Sequence, residues 1–190
     1  PDINGATVEA IENGSVIDST TTDSNGEFTI NAYDSSKIVF RVDGFTYTDS
    51  GGTDREVYTS IVRDANLDSS MSVEVPENFQ QASIDNSTVD VVYETDGGVK
   101  QIAGVEQLKG IVGDLDADYE LQMDVDASAA SSWNVNNGFE PIGTDSTPFT
   151  GTFDGNNYDI KNLTMDRYSN SYIGLFGKIQ TSTVQNVGLT

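Results

Sequence analysis

The chain has 190 residues, a formal net charge of −22, and neither cysteine nor histidine. These absences exclude disulfides, thiolate nucleophiles, imidazole bases and Cys/His zinc sites. With 9 basic against 31 acidic residues, the chain has no basic surface for nucleic acid, and we expect no such partner. So large an excess of negative charge destabilises a compact fold, because the carboxylates repel one another. Molar salt shortens the Debye length to about 3 Å and screens this repulsion. The composition therefore predicts a folded, salt-adapted protein, with an ordinary acidic extracellular domain as the alternative.

The N-terminal half is a series of short alternating apolar runs separated by turn residues. Asn25-Gly26 marks a tight turn, since this pair favours positive φ. Gly97-Gly98 is the best boundary, which gives an N-terminal β-sandwich module with linker at 1–98 and a second unit at 99–190. Strands are predicted at 6–11, 15–21, 27–30, 37–42, 57–62, 71–75 and 89–93.

Three N-terminal segments carry a family resemblance: NGATVEAIENG, STTTDSNGEFTI and IVFRVDGF. They are similar to the carboxypeptidase-regulatory-like and Cna-B-like β-sandwich (prealbumin-like) family, over residues 1–75. The resemblance implies a hairpin at the Thr-Thr-Asp-x-x-Gly-x-Phe segment and a spacer role in a surface protein. Some Cna-B domains form an internal Lys–Asn isopeptide bond. The first strand, 6–11, has no Lys, so we expect no such bond.

The C-terminal half contains one helical signal and an internal repeat. Apolar positions from 105 to 115 lie on one face of a short helix, and 119–125 alternates as a strand. Residues 149–165 match residues 172–189 at offsets of 23 and 24. Such a period is typical of a β-solenoid, with Asn162 and Asn186 stacked at one corner. The matched pairs are Gly151 with Gly174, Phe153 with Phe176, Ile160 with Val184, Asn162 with Asn186, and Leu163 with Val187.

The same region carries a second resemblance. GFEPIG, PFTGTFDGNNYDIKNLTM, IGLFGKI and VQNVGL are similar to the GLUG-type repeats of adhesin-like right-handed β-helices, over residues 100–190. The preceding VEQLKGIVGDLDADYELQMDVDAS resembles the entry segment whose helix caps such a stack. The expected fold class is therefore all-β: a small β-sandwich, then a right-handed parallel β-helix with a short capping helix. We expect the stack to continue or to pair beyond residue 190, because an open edge is a pairing hazard.

Candidate binding residues are few. Five aspartates could form a weak calcium site, although they lack the Gly and Glu of an EF-hand; a solvated acidic face is the alternative. Trp133 could stack on a sugar ring or pack inside the first rung. Asn13, Asn86 and Asn162 lie in glycosylation-type sequons. The aspartates are Asp114, Asp116, Asp118, Asp124 and Asp126. No other cofactor is expected.

These observations predict a non-enzymatic, extracellular cell-surface protein, adhesin-like or structural, in a stalk or filament. Its expected partners are copies of itself or other surface proteins, joined through strand edges, with glycans as a further class. No run of 18 apolar residues occurs, so we expect no membrane insertion in this segment. One alternative is a virion fibre, turret or tail-spike protein of a virus infecting a halophile. A glycan-cleaving spike would need two carboxylates about 5–10 Å apart, and no pair stands out.

Overall fold

The structure is a computed structural model that describes residues 4–12, 15–31, 38–48, 51–63, 79–167 and 172–190. The described chain is mostly β-strand, which confirms the predicted all-β class. No helix in these ranges is both long and apolar enough to cross a bilayer. The expected strand at 71–75 lies outside the described residues, as does position 37 of the strand expected at 37–42.

The N-terminal strands form one six-stranded sheet. Its order is β2-β1-β3-β4-β6-β5, and every neighbouring pair is antiparallel except β4 with β6. The two-sheet sandwich expected for this half is not found in the described residues; a single layer takes its place. The strands are β1 (Thr7–Glu12), β2 (Ser15–Thr21), β3 (Ile38–Thr48), β4 (Asp54–Arg63), β5 (Phe79–Ile84) and β6 (Ser87–Tyr93).

Alternation along the strands gives this sheet two apolar faces. One face buries Val8, Phe40 and Val57. Residues 27–30, expected to be a strand, have no ladder partner and instead lay Phe28 and Ile30 over this face. The turn before them forms as predicted, with Gly26 at φ +74° and its amide donating to the Asp23 carbonyl at 3.0 Å. The segment therefore covers part of this face.

The C-terminal half is built from very short strands that pair in parallel. One sheet has the order β10-β12-β14, and the other β13-β11-β9-β8-β7, where only β7 and β8 are antiparallel. Helix α1 (Val105–Gly110), extended by a 3₁₀ turn (Ile111–Gly113), confirms the predicted helical segment. The strands are β7 (Thr95–Asp96), β8 (Val99–Ile102), β9 (Tyr119–Leu121), β10 (Val125–Asp126), β11 (Thr152–Asp154), β12 (Asp159–Lys161), β13 (Thr183–Gln185) and β14 (Gly188–Leu189).

The pairing register differs from the repeat found in the sequence. Phe153 lies opposite Tyr119 and Val184, 34 residues before and 31 after it. Ile160 lies opposite Val125 and Leu189, 35 before and 29 after. The repeat at 23 and 24 residues therefore does not describe which residues pair. It matches Phe153 with Phe176 and Ile160 with Val184, and neither match is a strand pair. The loops between the paired strands differ in length, so the spacing between paired residues varies from 29 to 35. The repeat in the sequence instead aligns residues of different sheets, such as Ile160 and Val184.

The predicted ladder of Asn162 and Asn186 is wrong for the same reason. Asn186 follows β13 at φ +54°, and its counterpart after β11 is Asn156 at φ +50°. Asn162 follows β12 and sits at a different corner. Both corners use asparagine because it tolerates the left-handed conformation better than other non-glycine residues.

One core joins the sheet to the parallel strands. It contains Val91 of β6, Leu108 of α1 and Phe153 of β11, all at 0% exposure. Helix α1 lies close to the sheet because Gly110 has no side chain: a Cβ there would stand 2.4 Å from the Tyr93 hydroxyl. The main core therefore contains residues from both sides of position 98. The division into units 1–98 and 99–190 stays a prediction.

Candidate functional site

A polar cleft of about 830 Å³ opens beside the join between the six-stranded sheet and the parallel strands. This volume lies within the usual range of small-molecule sites, about 300–1,000 Å³. β5, the β7–β8 hairpin and the end of the 3₁₀ turn supply its walls. The lining is Phe79, Gln80, Gln81, Tyr93, Glu94, Thr95, Asp96, Lys100, Gln101, Gly113 and Asp114.

Lys100 organises the cleft. Its ammonium donates hydrogen bonds to Gln80 Oε1 and to Asp114 Oδ2. The same nitrogen lies 5.7 Å from the ring centroid of Tyr93 and 5.5 Å from that of Tyr119, within cation–π range. Burial would raise the pKa of Asp114, but hydrogen bonds from Lys100 and Asp116 outweigh it and lower this pKa. Lys100 and Asp114 are thus held as an ion pair.

The wall behind Lys100 is fixed by further hydrogen bonds. Gln80 Nε2 donates to the Gly110 carbonyl at 2.6 Å. The Tyr119 hydroxyl donates to the Asp114 carbonyl at 2.7 Å, and the Tyr93 hydroxyl to the Gln107 carbonyl at 2.7 Å. Burial raises the pKa of both tyrosines, so they remain neutral donors at ordinary pH. These hydrogen bonds hold the described inner wall of the cleft in place.

Sequence reasoning did not identify this cleft. Its residues come from three segments separated by loops, and none of them forms a local motif. The one available signal was Lys100, a single cation in a strongly acidic stretch. Neighbouring aromatic and amide side chains become recognisable only when β5 and β8 are brought together.

The aspartates proposed for calcium do not gather into one cluster. No group of three acidic side chains within the described ranges is placed to hold a metal ion, so the expected site is not found there. Asp114 pairs with Lys100 and accepts a hydrogen bond from the Asp116 backbone amide, and Asp118 Oδ1 accepts the Thr152 amide at 2.8 Å. These side chains are engaged locally instead.

Several acidic side chains link successive turns of the chain. Asp124 Oδ1 accepts the Asp159 amide at 2.8 Å, and its Oδ2 accepts the Lys161 ammonium at 2.7 Å. Asp154 accepts the side-chain amides of Gln185, at 2.7 Å, and Asn186, at 3.1 Å. Each carboxylate therefore connects a strand of one turn to the strand stacked on it.

These contacts lower the pKa of the carboxylates. The Asp159 amide, and then Lys161, lower the pKa of Asp124. The Asn162 side chain and the Ser128 amide lower the pKa of Asp126. The Asn156 amide does the same to Asp154, with help from Asn186. Hydrogen bonding to the charged form is the common cause.

The remaining candidates are placed as follows. Trp133 is 8% exposed and stacks on Phe139 at a centroid distance of 6.4 Å, so it packs in the core and offers no platform to a sugar. Asn86 is exposed at the tip of the β5–β6 hairpin. Asn162 is exposed, but its Nδ2 donates to Asp126 at 3.1 Å. Asn13 lies outside the described residues.

The last described strands have one neighbour each within their sheets. β13 and β14 each occupy the end of their sheet. Large apolar side chains are exposed around them: Tyr172 by 55%, Ile173 by 54%, Ile179 by 47% and Leu189 by 54%. At the other end of the stacked strands, α1 and the six-stranded sheet cover the apolar interior. The two ends are therefore chemically different.

Comparison with known proteins finds two relatives that match part of the chain. Halomucin of Haloquadratum walsbyi is 36% identical over 116 residues, which cover 55% of this chain and 1% of halomucin. A protein of Evansella cellulosilytica, described as a Gly-rich membrane protein, is 37% identical over 73 residues; these cover 38% of this chain and 8% of the relative. The chain thus spans a small fraction of either relative. No protein-family profile and no solved structure matches it.

Proposed function

We propose that the chain is a salt-adapted, non-enzymatic module of an extracellular cell-surface structure, in which the C-terminal strands form a short right-handed parallel β-helix. Its role is architectural and adhesin-like, and its assembly partner is a second β-rich unit. The observation that carries the proposal is the parallel pairing of β9, β11 and β13 in one sheet and of β10, β12 and β14 in the other, with Ile179 and Leu189 exposed beside the last described strands.

The β-helix interpretation is supported by parallel pairing in two sheets. Tyr119, Phe153 and Val184 lie in register in one, and Val125, Ile160 and Leu189 in the other. Bridges from Ile142 to Phe176 and from Phe149 to Ile179, both parallel, supply a third line of stacking. Solenoid turns bury their apolar residues mainly against neighbouring turns, and the exposed Ile179 and Leu189 are available for such contacts.

Charge and relatives support the cellular setting. A net charge of −22 disfavours a compact fold at low ionic strength and suits molar salt. The relatives' names, a halomucin and a Gly-rich membrane protein, agree with a surface or membrane-associated location. The Cna-B-like and GLUG-type resemblances remain predictions.

Light scattering combined with electron microscopy in 2–3 M KCl tests the assembly role. We expect ordered oligomers that depend on protein concentration. The paired variants I179K and L189K place charge beside the last described strands and should shift the protein to monomer. V135K is the matched control, because Val135 is 83% exposed and lies in the helical turn Trp133–Asn136, outside β13 and β14. A wild-type protein that stays monomeric at every concentration overturns the proposal.

A further inference from the structure

We propose that the cleft around Lys100 binds a neutral oligosaccharide. The inference goes beyond the proposed architectural role and does not depend on it, since a monomer would bind equally well. It starts from geometry: an open cleft of about 830 Å³ is large enough for more than a single small solute. Its inner wall is fixed by the hydrogen bonds of Gln80, Tyr93 and Tyr119.

The charge of the cleft argues against an anionic ligand. Glu94, Asp96 and Asp114 line it, and Lys100 is the one cation among the lining residues. Asp114 already pairs with Lys100, so the lining has no unpaired cation. Phosphate, sulfate and uronate groups would meet local repulsion in addition to the overall charge of −22.

An organic cation fits poorly as well. Aromatic faces are the usual sites for such ligands. Here the Lys100 ammonium already lies 5.7 Å from the Tyr93 centroid and 5.5 Å from the Tyr119 centroid. A second positive charge in the same place would be repelled by the first.

A polyhydroxylated neutral ligand matches the remaining groups. Carboxylates accept hydrogen bonds through two oxygens, and side-chain amides both donate and accept, so each can contact adjacent hydroxyls of a sugar ring. Besides Gln80, whose amide is already hydrogen-bonded at both ends, the lining carries two such amides, Gln81 and Gln101. Phe79 is 40% exposed at the same cleft and presents ring surface on which the C–H face of a sugar can pack.

The test uses an immobilised panel of neutral gluco-, manno-, galacto- and N-acetylglucosamine oligosaccharides in 2 M KCl, followed by calorimetric titration of the best binder. F79A and D96A should each weaken binding at least tenfold. Y172A and D166A are the controls, since Tyr172 and Asp166 are exposed outside the cleft lining, and both should bind as the wild type does. Asp96 is exposed, so D96A should remain folded even if F79A does not.

The salt dependence separates the ligand classes. Affinity for a neutral sugar should change less than threefold between 0.5 and 3 M KCl, because no net charge is screened. Absence of binding at millimolar sugar overturns the inference, as does unchanged affinity in D96A. Preferential binding of oligouronates, or of an extended peptide from a peptide array run in parallel, also overturns it. Because the oligomeric state is measured separately, failure of the sugar test leaves the assembly proposal standing.

Discussion

The Lys161 ammonium lies 2.7 Å from Asp124 Oδ2, although 37 residues separate the two along the chain. The contact joins β12 to the corner before β10, on which β12 stacks in parallel. It is one of several carboxylate links that tie a turn of the chain to the next. The acidic composition therefore serves local structure as well as solubility in salt.

Acid should destabilise these links. Asp124 and Asp154 have folded-state pKa values below their ordinary 3.8. Their contribution is thus fully present above about pH 4 and is lost as pH falls through the folded-state values. The double variant D124N/D154N should melt at a lower temperature at pH 7, and its melting temperature should fall less than that of the wild type between pH 7 and pH 3.

Thermal melts followed by circular dichroism across this pH range check the prediction. The control is D96N/D166N, which removes two exposed carboxylates outside the turn-to-turn links. If both double variants lose stability with acid in the same way, these links have no special role.

Phe153 should be the most costly apolar side chain to truncate in the stacked strands. It is 0% exposed and meets Phe176 edge-on at a centroid distance of 5.4 Å. We expect F153A to lower the free energy of unfolding by about 3–5 kcal/mol. Urea denaturation in 2 M KCl measures it, with Y172A, at an exposed ring, as the control. A loss below 1 kcal/mol would contradict the described core.

Two glycines distinguish the observed stacking from the repeat read in the sequence. A Cβ at Gly151 would lie 1.8 Å from the Ala117 carbonyl oxygen, whereas at Gly174 the nearest atom is 3.3 Å away. G151A should therefore cost about 1–3 kcal/mol, and G174A about 0.5 kcal/mol or less. Denaturation midpoints compare the two. Equal losses would favour the 23-residue repeat, in which the two glycines are equivalent.

Lys109 is a buried charge that the fold tolerates at a cost. Its side chain is 4% exposed, and its nitrogen lies 3.3 Å from a Glu140 carboxylate that is itself 53% exposed. Burial lowers the pKa of Lys109, and Glu140 opposes this only in part. K109M should leave stability unchanged or raise it by about 1 kcal/mol.

The pH dependence gives a second readout for Lys109. Between its folded-state pKa and the ordinary value of 10.5, the unfolded chain binds more protons, so this residue makes stability rise with pH. That contribution should be absent from K109M. E140Q is the matched control: it leaves the lysine buried and should lower stability. A large loss of stability in K109M would show that the ion pair is a net stabiliser.

Local patterns predicted local structure well. The 3.6-residue apolar spacing from Val105 gave a helix where α1 lies, and Asn25-Gly26 gave the turn that Gly26 makes at φ +74°. Long-range relations were harder. The repeat of 23 to 24 residues did not predict the strand pairing. Paired residues are 29 to 35 positions apart and share little beyond an apolar side chain, as Ile160 and Leu189 do. The sequence repeat aligns 149–165 with 172–189 on their glycine and aromatic residues, and those residues do not pair in the structure.

The cleft could not be predicted for a different reason. Phe79 begins the edge strand β5, Lys100 lies in the β7–β8 hairpin, and Asp114 follows the 3₁₀ turn. They meet only when α1 packs against β5. The all-β class depends on strand periodicity, which is visible in the sequence. A site assembled from three such segments is set by tertiary contacts.

The apolar core that Val91, Leu108 and Phe153 share has a mechanical consequence. Helix α1 packs in the core that the six-stranded sheet shares with the parallel strands. The two parts are therefore joined by packed side chains and not by a hinge. A force applied to one half is passed to the other through packed side chains, and separating them would first expose that interior to water. The junction between the two halves should therefore resist bending.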